Sequence, residues 1–261
     1  MRYRKGSIEL NQSRDVPLLR QLLRSEFATH EQLFEFMRLN HHERSRKSFD
    51  WRLRRLVRYG FLLQNGMPGC GGQQVYSVAR SGALLLQGLG DYYLLGRERP
   101  NRNSPEASVL HFVELNEIHL TALRSGVLAR WIPAIEIRSQ NELTRFGFAK
   151  DYDAIVTMRT DTGEHRFALE YERSPKAAKF YRAIAASIAH EHHVDRILYL
   201  APNYDLLQFV ASFLVNARRP VYFGLVRDWH ERLLDMRVSQ SAATNGLRLK
   251  DVFGAADLQT A

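Results

Sequence analysis

The sequence of 261 residues is 45% hydrophobic and 25% charged, a composition typical of globular proteins, which excludes an intrinsically disordered chain. Its single cysteine, Cys70, excludes an internal disulfide bond and is typical of a reducing compartment. The formal net charge is +9; residues 1–100 contain 17 basic and 9 acidic side chains, whereas residues 101–261 contain 20 and 19. This asymmetry predicts an N-terminal module that binds a polyanion and a C-terminal module with another role.

The N-terminal stretch MRYRKGSIELNQSRD contains no apolar segment of the kind that forms a secretory signal. The longest apolar-rich stretches, such as residues 206–215, are far shorter than the roughly 20 residues that a membrane-spanning helix requires. We therefore expect a cytoplasmic protein that does not associate with a membrane.

Three helical segments followed by a hairpin predict a winged helix-turn-helix at the N-terminus. The helices are predicted at residues 15–25, 29–38 and 45–60. Thr29 and Gln32 have the spacing of a capping box, and Gly60 is expected to end the third helix. The segments FLLQ and QVYSV then predict two strands, joined by the glycine-rich loop NGMPGCGG as the wing.

The third predicted helix has two chemically different faces. Phe49, Leu53 and Leu56 share an apolar face that would pack on the other helices. The opposite face is basic and stands where a helix-turn-helix inserts into the major groove, so we expect it to contact DNA rather than to be merely solvated. Trp51 either belongs to this face or fills the core of a tilted helix. The predicted DNA-binding residues are Arg46, Lys47, Trp51, Arg54, Arg55 and Arg58.

A polar stretch rich in proline and asparagine, GRERPNRNSPEAS, predicts a linker. After it the pattern indicates a long helix, three strands (WIPAIEIRS, YDAIVTM and HRFALEYE), a helix, a strand, a helix and a last strand, the order of an α/β layered domain. The predicted fold class is α+β. The predicted parts are a winged helix-turn-helix at 1–95, a linker at 96–108, an α/β domain at 109–238 and a poorly ordered tail at 239–261.

Carboxylates stand at neighbouring ends of two predicted strands. Asp153 begins the second strand of the C-terminal domain, and Glu170 and Glu172 end the third. Alternate side chains of a strand share a face, and if these strands pair as a hairpin, Asp153 and Glu170 lie at the same end. Carboxylate oxygens are preferred ligands of Mg²⁺, which could activate water for phosphodiester cleavage. A metal site at Asp153 and Glu170 is therefore one expectation.

The Tyr-Asp-Ala at 152–154 and the Leu-Glu-Tyr-Glu-Arg-Ser at 169–174 resemble motifs of the replication-relaxation family of plasmids and mobile elements. The resemblance covers most of the chain and implies a winged helix followed by a domain similar to the PD-(D/E)xK nuclease fold. It implies that Asp153 and Glu170 match the metal-binding acids of that fold. It also implies an accessory acid at Glu114 or Glu117.

The sequence departs from the nuclease pattern at two positions, because Glu172 replaces the lysine and Tyr152 replaces the proline. Lys176 or Lys179 could supply the missing cation from the following helix; otherwise the domain is a non-catalytic relative. If the domain is active, the expected catalytic residues are Asp153, Glu170, Glu172 and Lys179. If it is not, Glu170 and Glu172 still need cations, and Lys176, Lys179 and Arg182 are the candidates.

Three functions follow from these observations. The first is a protein that binds double-stranded DNA in the replication or mobilisation of a plasmid or mobile element, with an inactive nuclease-like domain. The second is a Mg²⁺-dependent DNA endonuclease. The third is a winged-helix transcription regulator whose second domain dimerises or senses. The expected partners are double-stranded DNA and either a second copy of the chain or replication and mobilisation proteins.

The histidine-rich segment HEHH at 190–193 raises the question of a second metal site. Zinc sites usually add cysteines or acids at defined spacing, and none stands out here. We therefore expect these residues to form a polar helix terminus. Ser174, which precedes Pro175, is expected to cap a helix rather than to act as a nucleophile.

Overall fold

The computed structural model divides the chain into two compact units, residues 1–120 and residues 121–261. Each unit combines helices with a β-sheet, as the α+β prediction required. The structure describes residues 9–67, 69, 71–91, 93, 105–144, 147–215, 217–240 and 246–254. Cys70 and residues 96–104 of the predicted linker lie outside these residues.

The first unit begins with three helices, all of them predicted. They are α1 (Asp15–Ser25), α2 (His30–Leu39) and α3 (Arg46–Arg58). The predicted capping box is confirmed: the Gln32 N–H donates to Thr29 Oγ1 at 3.3 Å, and the Thr29 N–H donates to Gln32 Oε1 at 3.2 Å. Gly60 follows α3 with a φ of +74°, the left-handed conformation that glycine adopts without a Cβ clash.

A three-stranded antiparallel sheet completes this part of the unit. Its strands are β1 (Ala28–Thr29), β2 (Leu62–Gly66) and β3 (Gln74–Val78), in the order β1-β3-β2. The pairing of β2 with β3 confirms the predicted hairpin after the third helix. Helix α4 (Arg80–Gly88) follows the hairpin.

A buried ionic network joins α3 to the start of α1. The Asp15 carboxylate is fully buried and accepts a hydrogen bond from Arg52 Nη1 at 2.7 Å; it also pairs with Arg55. Arg52 Nε lies 3.5 Å from Glu43 Oε2. The buried charges compensate one another, and the pairing determines which side of α3 faces the core.

The long helix α5 (Pro105–Arg124) starts within the predicted linker, and its first 16 residues, 105–120, group with the first unit. Asn116 Nδ2 donates to the Phe27 carbonyl at 2.6 Å, and Gln32 Nε2 donates to the Val113 carbonyl at 2.7 Å. The division of the chain thus falls after residue 120, not at the predicted linker. The reason is that side-chain hydrogen bonds between residues far apart in sequence attach this helix to the three-helix core.

The second unit is built on a five-stranded sheet in the order β4-β5-β6-β7-β8. The strands are β4 (Leu128–Pro133), β5 (Ala154–Thr160), β6 (Gly163–Tyr171), β7 (Ile197–Ala201) and β8 (Val221–Leu225). The first three are antiparallel, and the last two continue the sheet in parallel. The helices that follow strands are α6 (Ala134–Leu143), α7 (Ala178–Ile188), α8 (Tyr204–Leu214) and α9 (Val226–Arg232).

The predicted strand WIPAIEIRS is wrong over residues 134–139, because β4 ends at Pro133 and α6 begins at Ala134. Ile135, Ile137 and Ser139 are buried at alternate positions, so the alternation that suggested a strand occurs within a helix. Alternation over so few residues does not distinguish the two structures when the helix is half-buried on more than one side.

The predicted disordered tail is also partly wrong. A short 3-10 helix (Leu233–Asp235) leads to β9 (Arg237–Val238), which pairs with β10 (Leu247–Arg248), and α10 (Leu249–Gly254) follows. The Phe253 ring is fully buried and stacks on His165 at 5.0 Å between ring centroids. Residues 241–245 and 255–261 lie outside the described part. Among the described helices, none is long and apolar enough to cross a membrane.

We expect Phe253→Ala to lower the free energy of unfolding by about 3 kcal/mol, because it removes a buried aromatic ring and leaves a cavity. Urea denaturation of the full chain measures the change. Asp251→Ala, at an exposed position of the same helix, is the control. Equal stability of Phe253→Ala and the wild type would contradict the packing of α10 on the sheet.

Candidate functional site

The basic face of α3 is the first candidate site. Lys47, Arg54 and Arg58 are exposed, and no carboxylate pairs with them in the described part of the chain. Trp51 is 55% exposed, so its ring lies on the surface and does not fill the core. An exposed tryptophan surrounded by cations can stack on or contact a nucleic acid while the cations contact phosphates.

Two of the six predicted DNA-binding residues have partners within the unit. Arg46 pairs with Glu31 and lies 3.7 Å from Asp50, and the Arg46 guanidinium lowers the pKa of the Glu31 carboxyl. Arg55 pairs with the buried Asp15, and its guanidinium carbon lies 4.8 Å from the centre of the Trp51 ring. Arg55 therefore packs against the Trp51 ring while it is held by Asp15.

One further cation, Arg44, was not singled out by the sequence analysis. It is exposed just before α3, and no described carboxylate pairs with it. Its backbone N–H donates to Glu43 Oε1 at 3.0 Å, and the Ser45 N–H donates to the same oxygen at 3.3 Å. The buried Glu43 thus fixes the turn that presents Arg44. The adjacency of Arg44 to the basic segment was the signal available in the sequence.

The carboxylate cluster of the second unit lies at the carboxyl end of β6. Ala154 pairs with Leu169, so Asp153 stands beside Glu170 at the edge of this antiparallel pair. The Tyr171 N–H donates to Asp153 Oδ2 at 2.8 Å. Glu170 and Glu172 are 6% and 4% exposed, so both carboxylates lie among protein groups rather than in solvent.

Lysines compensate both glutamates. Lys150 pairs with Glu170, and Lys176 Nζ lies 3.0 Å from Glu172 Oε2. Burial raises the pKa of Glu170 and of Glu172, and the two lysines oppose that effect. Lys179, the predicted catalytic lysine, is instead exposed, with its ammonium 5.3 Å from the centre of the Phe180 ring.

Lys150 was missed in the sequence because it precedes the Asp-Tyr-Asp segment rather than following the Glu-Tyr-Glu strand. Its position depends on Glu191, the acid of the HEHH segment, which is 1% exposed. Glu191 Oε2 accepts hydrogen bonds from the Ala149 N–H and the Tyr152 hydroxyl, both at 3.0 Å. Helix α7 ends at Ile188, and the segment's buried carboxylate holds the loop that carries Lys150.

The Tyr199 hydroxyl completes the cluster. Tyr199 lies beside Glu170 in the parallel register of β6 and β7, and its hydroxyl is buried with no hydrogen-bond partner among the described residues. Burial, together with the nearby carboxylates of Glu170 and Glu172, raises the pKa of Tyr199 well above its ordinary value. A buried neutral hydroxyl without a partner is a donor available to a water molecule or ligand at this position.

The arrangement does not fit a bound Mg²⁺. The donor set has suitable chemistry, since Asp153 and Glu170 supply carboxylate oxygens. However, Asp153 Oδ2 accepts a backbone N–H and Glu170 is paired with a lysine. Among the described residues, no group of three or more histidine, cysteine, aspartate or glutamate side chains could hold a metal ion. The accessory acids Glu114 and Glu117 lie on the part of α5 that belongs to the first unit.

No protein-family model, curated protein or solved structure matches the chain.

The pair formed by Lys150 and Glu170 generates a pH-dependent prediction. We expect Lys150→Met to lower the free energy of unfolding by about 3 kcal/mol at pH 7, because it leaves Glu170 buried and charged without a partner. The double variant Lys150→Met/Glu170→Gln should recover most of this loss. Urea denaturation of both variants, with Lys179→Met as the matched control at an exposed lysine, measures the effect.

The loss should diminish as the pH falls towards 4.5, the ordinary pKa of a glutamate. Removing the ammonium raises the pKa of Glu170 further, so the folded variant retains its proton to higher pH than the unfolded chain does. A carboxyl of this kind favours the folded state at low pH, and that contribution is lost as the pH rises through its folded pKa. A loss that is independent of pH would contradict the assigned pair.

Proposed function

We propose that the protein binds double-stranded DNA through the exposed face of α3 and acts in the replication or mobilisation of a plasmid or mobile element. The observation that carries the proposal is the set of exposed cations Lys47, Arg54 and Arg58 around the exposed Trp51, none of them paired with a carboxylate of the described residues. Helix α3 is followed by the β2–β3 hairpin, and this order supports a winged helix-turn-helix in which α3 enters the major groove.

The proposed biological role rests on the resemblance to the replication-relaxation family. The order of elements in the second unit supports it: three antiparallel strands, the helix α7, and then β7 parallel to β6. This order agrees with a PD-(D/E)xK-like domain, and Asp153, directly before β5, lies beside Glu170 on β6, where that domain has its acids. The pairing of Lys150 with Glu170 and of Lys176 with Glu172 supports a domain that no longer cleaves DNA.

The second candidate is a DNA endonuclease, and one observation favours it. A lysine, Lys150, lies at the same edge of the sheet as Asp153 and Glu170, although it comes from a different part of the chain than expected. An ammonium there could neutralise charge on a phosphodiester. The poor fit of the carboxylates to Mg²⁺ and the acid at position 172 make this the weaker candidate.

We expect Arg54→Ala/Arg58→Ala to weaken binding to duplex DNA and to reduce the salt dependence of the affinity by a slope of about two, since each lost phosphate contact removes about one unit. Fluorescence anisotropy over a range of KCl concentrations measures both quantities. Arg38→Ala is the matched control, because Arg38 is an exposed arginine of the same unit that pairs with Glu35. An unchanged slope in the double variant would refute the assigned interface.

Incubation of the purified protein with plasmid DNA and Mg²⁺ or Mn²⁺ is expected to give no cleavage above that of a mock purification. Position 172 carries an acid instead of the lysine of the nuclease pattern, and Lys176 is paired with that acid, so this lysine is not free to neutralise an incoming phosphodiester. Agarose electrophoresis of supercoiled plasmid detects nicking and linearisation. Turnover that disappears in both Asp153→Ala and Glu170→Ala would establish the endonuclease instead.

A further inference from the structure

Arg130, Thr157 and Arg166 form a row across three strands of the second unit. Arg130 on β4 is opposite Thr157 on β5, and Thr157 is opposite Arg166 on β6. Residues opposite one another in antiparallel strands point to the same face of the sheet, so the two guanidinium groups and the hydroxyl project together. Neighbouring strands are about 4.8 Å apart, which separates the arginine backbones by roughly 10 Å, within reach of a single phosphate or of two adjacent ones.

A β-bulge places Arg130 in this row. The register of β4 against β5 shifts between Leu128, which is opposite Met158, and Arg130, which is opposite Thr157. Without the extra residue, Arg130 would be opposite Val156, whose side chain points to the other face and is buried. Bulges commonly redirect a side chain near a functional site, and this one directs an arginine towards another arginine.

Neither of the two arginines forms an ion pair within the described part of the chain, and both are exposed. The neighbouring Arg159 differs, because its Nε lies 3.2 Å from Glu164 Oε1. Partial burial of the Arg166 side chain and the charge of Arg130 lower the pKa of Arg166, and the charge of Glu191 opposes that effect. Two arginines held side by side without an ion-pair partner are typical of a site for a phosphate group, whose oxygens match the guanidinium donors.

The Phe148 ring lies between Arg166 and a histidine of a nearby cavity. The Arg166 guanidinium lies 5.4 Å from the centre of the Phe148 ring, and His193 packs on the same ring at 5.7 Å between ring centroids. His193, His190 and His192 line the cavity, which has a volume of about 420 Å³, together with Gly147 and Ala149. The nearest buried acid, Glu191, is occupied by the N–H and O–H donors described above.

We infer that the Arg130–Thr157–Arg166 row binds the phosphodiester backbone of a nucleic acid, as a second contact surface separate from α3. The inference rests on the proposed function, since the double-stranded DNA proposed there is the source of the phosphates. The row lies four residues along β6 from Glu170, roughly 13 Å at the rise of a strand, and so is distinct from the carboxylate cluster. It would contact the backbone without reading its sequence.

The test compares full-length variants in the anisotropy titration. Arg130→Gln/Arg166→Gln is expected to bind a long duplex about tenfold more weakly at low salt, with a salt slope smaller by about two. Arg130→Lys/Arg166→Lys should retain most of the slope, because lysine keeps the charge. Arg159→Gln is the matched control on the same sheet and should resemble the wild type. Thermal unfolding of each variant verifies that it is folded.

The outcomes separate this inference from the proposed function. If Arg130→Gln/Arg166→Gln binds like the wild type while Arg54→Ala/Arg58→Ala does not, the second surface is refuted and the proposed interface stands. The reverse result supports the second surface and refutes the role of α3. If the wild type does not bind duplex DNA, both fail.

A parallel titration with inorganic phosphate distinguishes a free anion from a nucleic acid. The inference predicts that millimolar phosphate competes weakly with DNA and that the glutamine variant loses DNA affinity. If phosphate raises the melting temperature of the wild type but not of the glutamine variant, and DNA affinity is equal in the two, the row is a site for a free phosphate and the inference is overturned.

Discussion

Burial of a carboxylate costs free energy unless a cation or several hydrogen-bond donors compensate it, and both units of this protein bury carboxylates at structurally decisive positions. Within the described residues the buried acids are Asp15, Glu43, Glu170, Glu172 and Glu191. The first two are compensated by arginines and backbone N–H groups, the next two by lysines, and the last by N–H and O–H donors. Compensation of these acids orients α3 in one unit and the loop before β5 in the other.

In the first unit, this requirement divides the arginines of α3 into two groups. Asp15 engages Arg52 and Arg55, which therefore face inwards or lie against Trp51. Arg54 and Arg58 have no such acid, and remain at the surface. The ion pairs with Asp15 thus determine which of these four arginines of α3 are exposed and can contact an anion, although all four carry the same guanidinium group.

In the second unit, the compensation of buried carboxylates affects whether these groups are free for metal-dependent chemistry. A nuclease of the PD-(D/E)xK type needs acids that are free to bind a metal and a lysine that is free to assist. Here the lysines are paired with the acids, and Asp153 accepts the N–H of Tyr171. Such pairing favours a stable end of the sheet over a reactive one. The arginine row lies on that surface, where a bulge determines the direction of Arg130.

The order of most elements, the capping box at Thr29, the basic character of α3 and the shared end of Asp153 and Glu170 could be predicted from the sequence alone. These features depend on local spacing or on pairing across one short hairpin, and the pattern of residue types along the sequence indicates both. The helix 134–143, the packing of residues 249–253 and the attachment of α5 to the first unit could not be predicted. A short alternation of buried residues is compatible with both a helix and a strand, and the other two features depend on contacts between residues far apart in the sequence.

Which ionisable groups form pairs depends on the tertiary structure. Lys150 reaches Glu170 because Glu191, 41 residues after Lys150 in the chain, accepts hydrogen bonds from the loop that carries Lys150. Arg130 and Arg166 share a face because two strand registers and a bulge combine. The pairing of charges depends on directions and distances within a few ångströms, and a one-residue change of register reverses the face of a side chain, so spacing along the sequence cannot specify it.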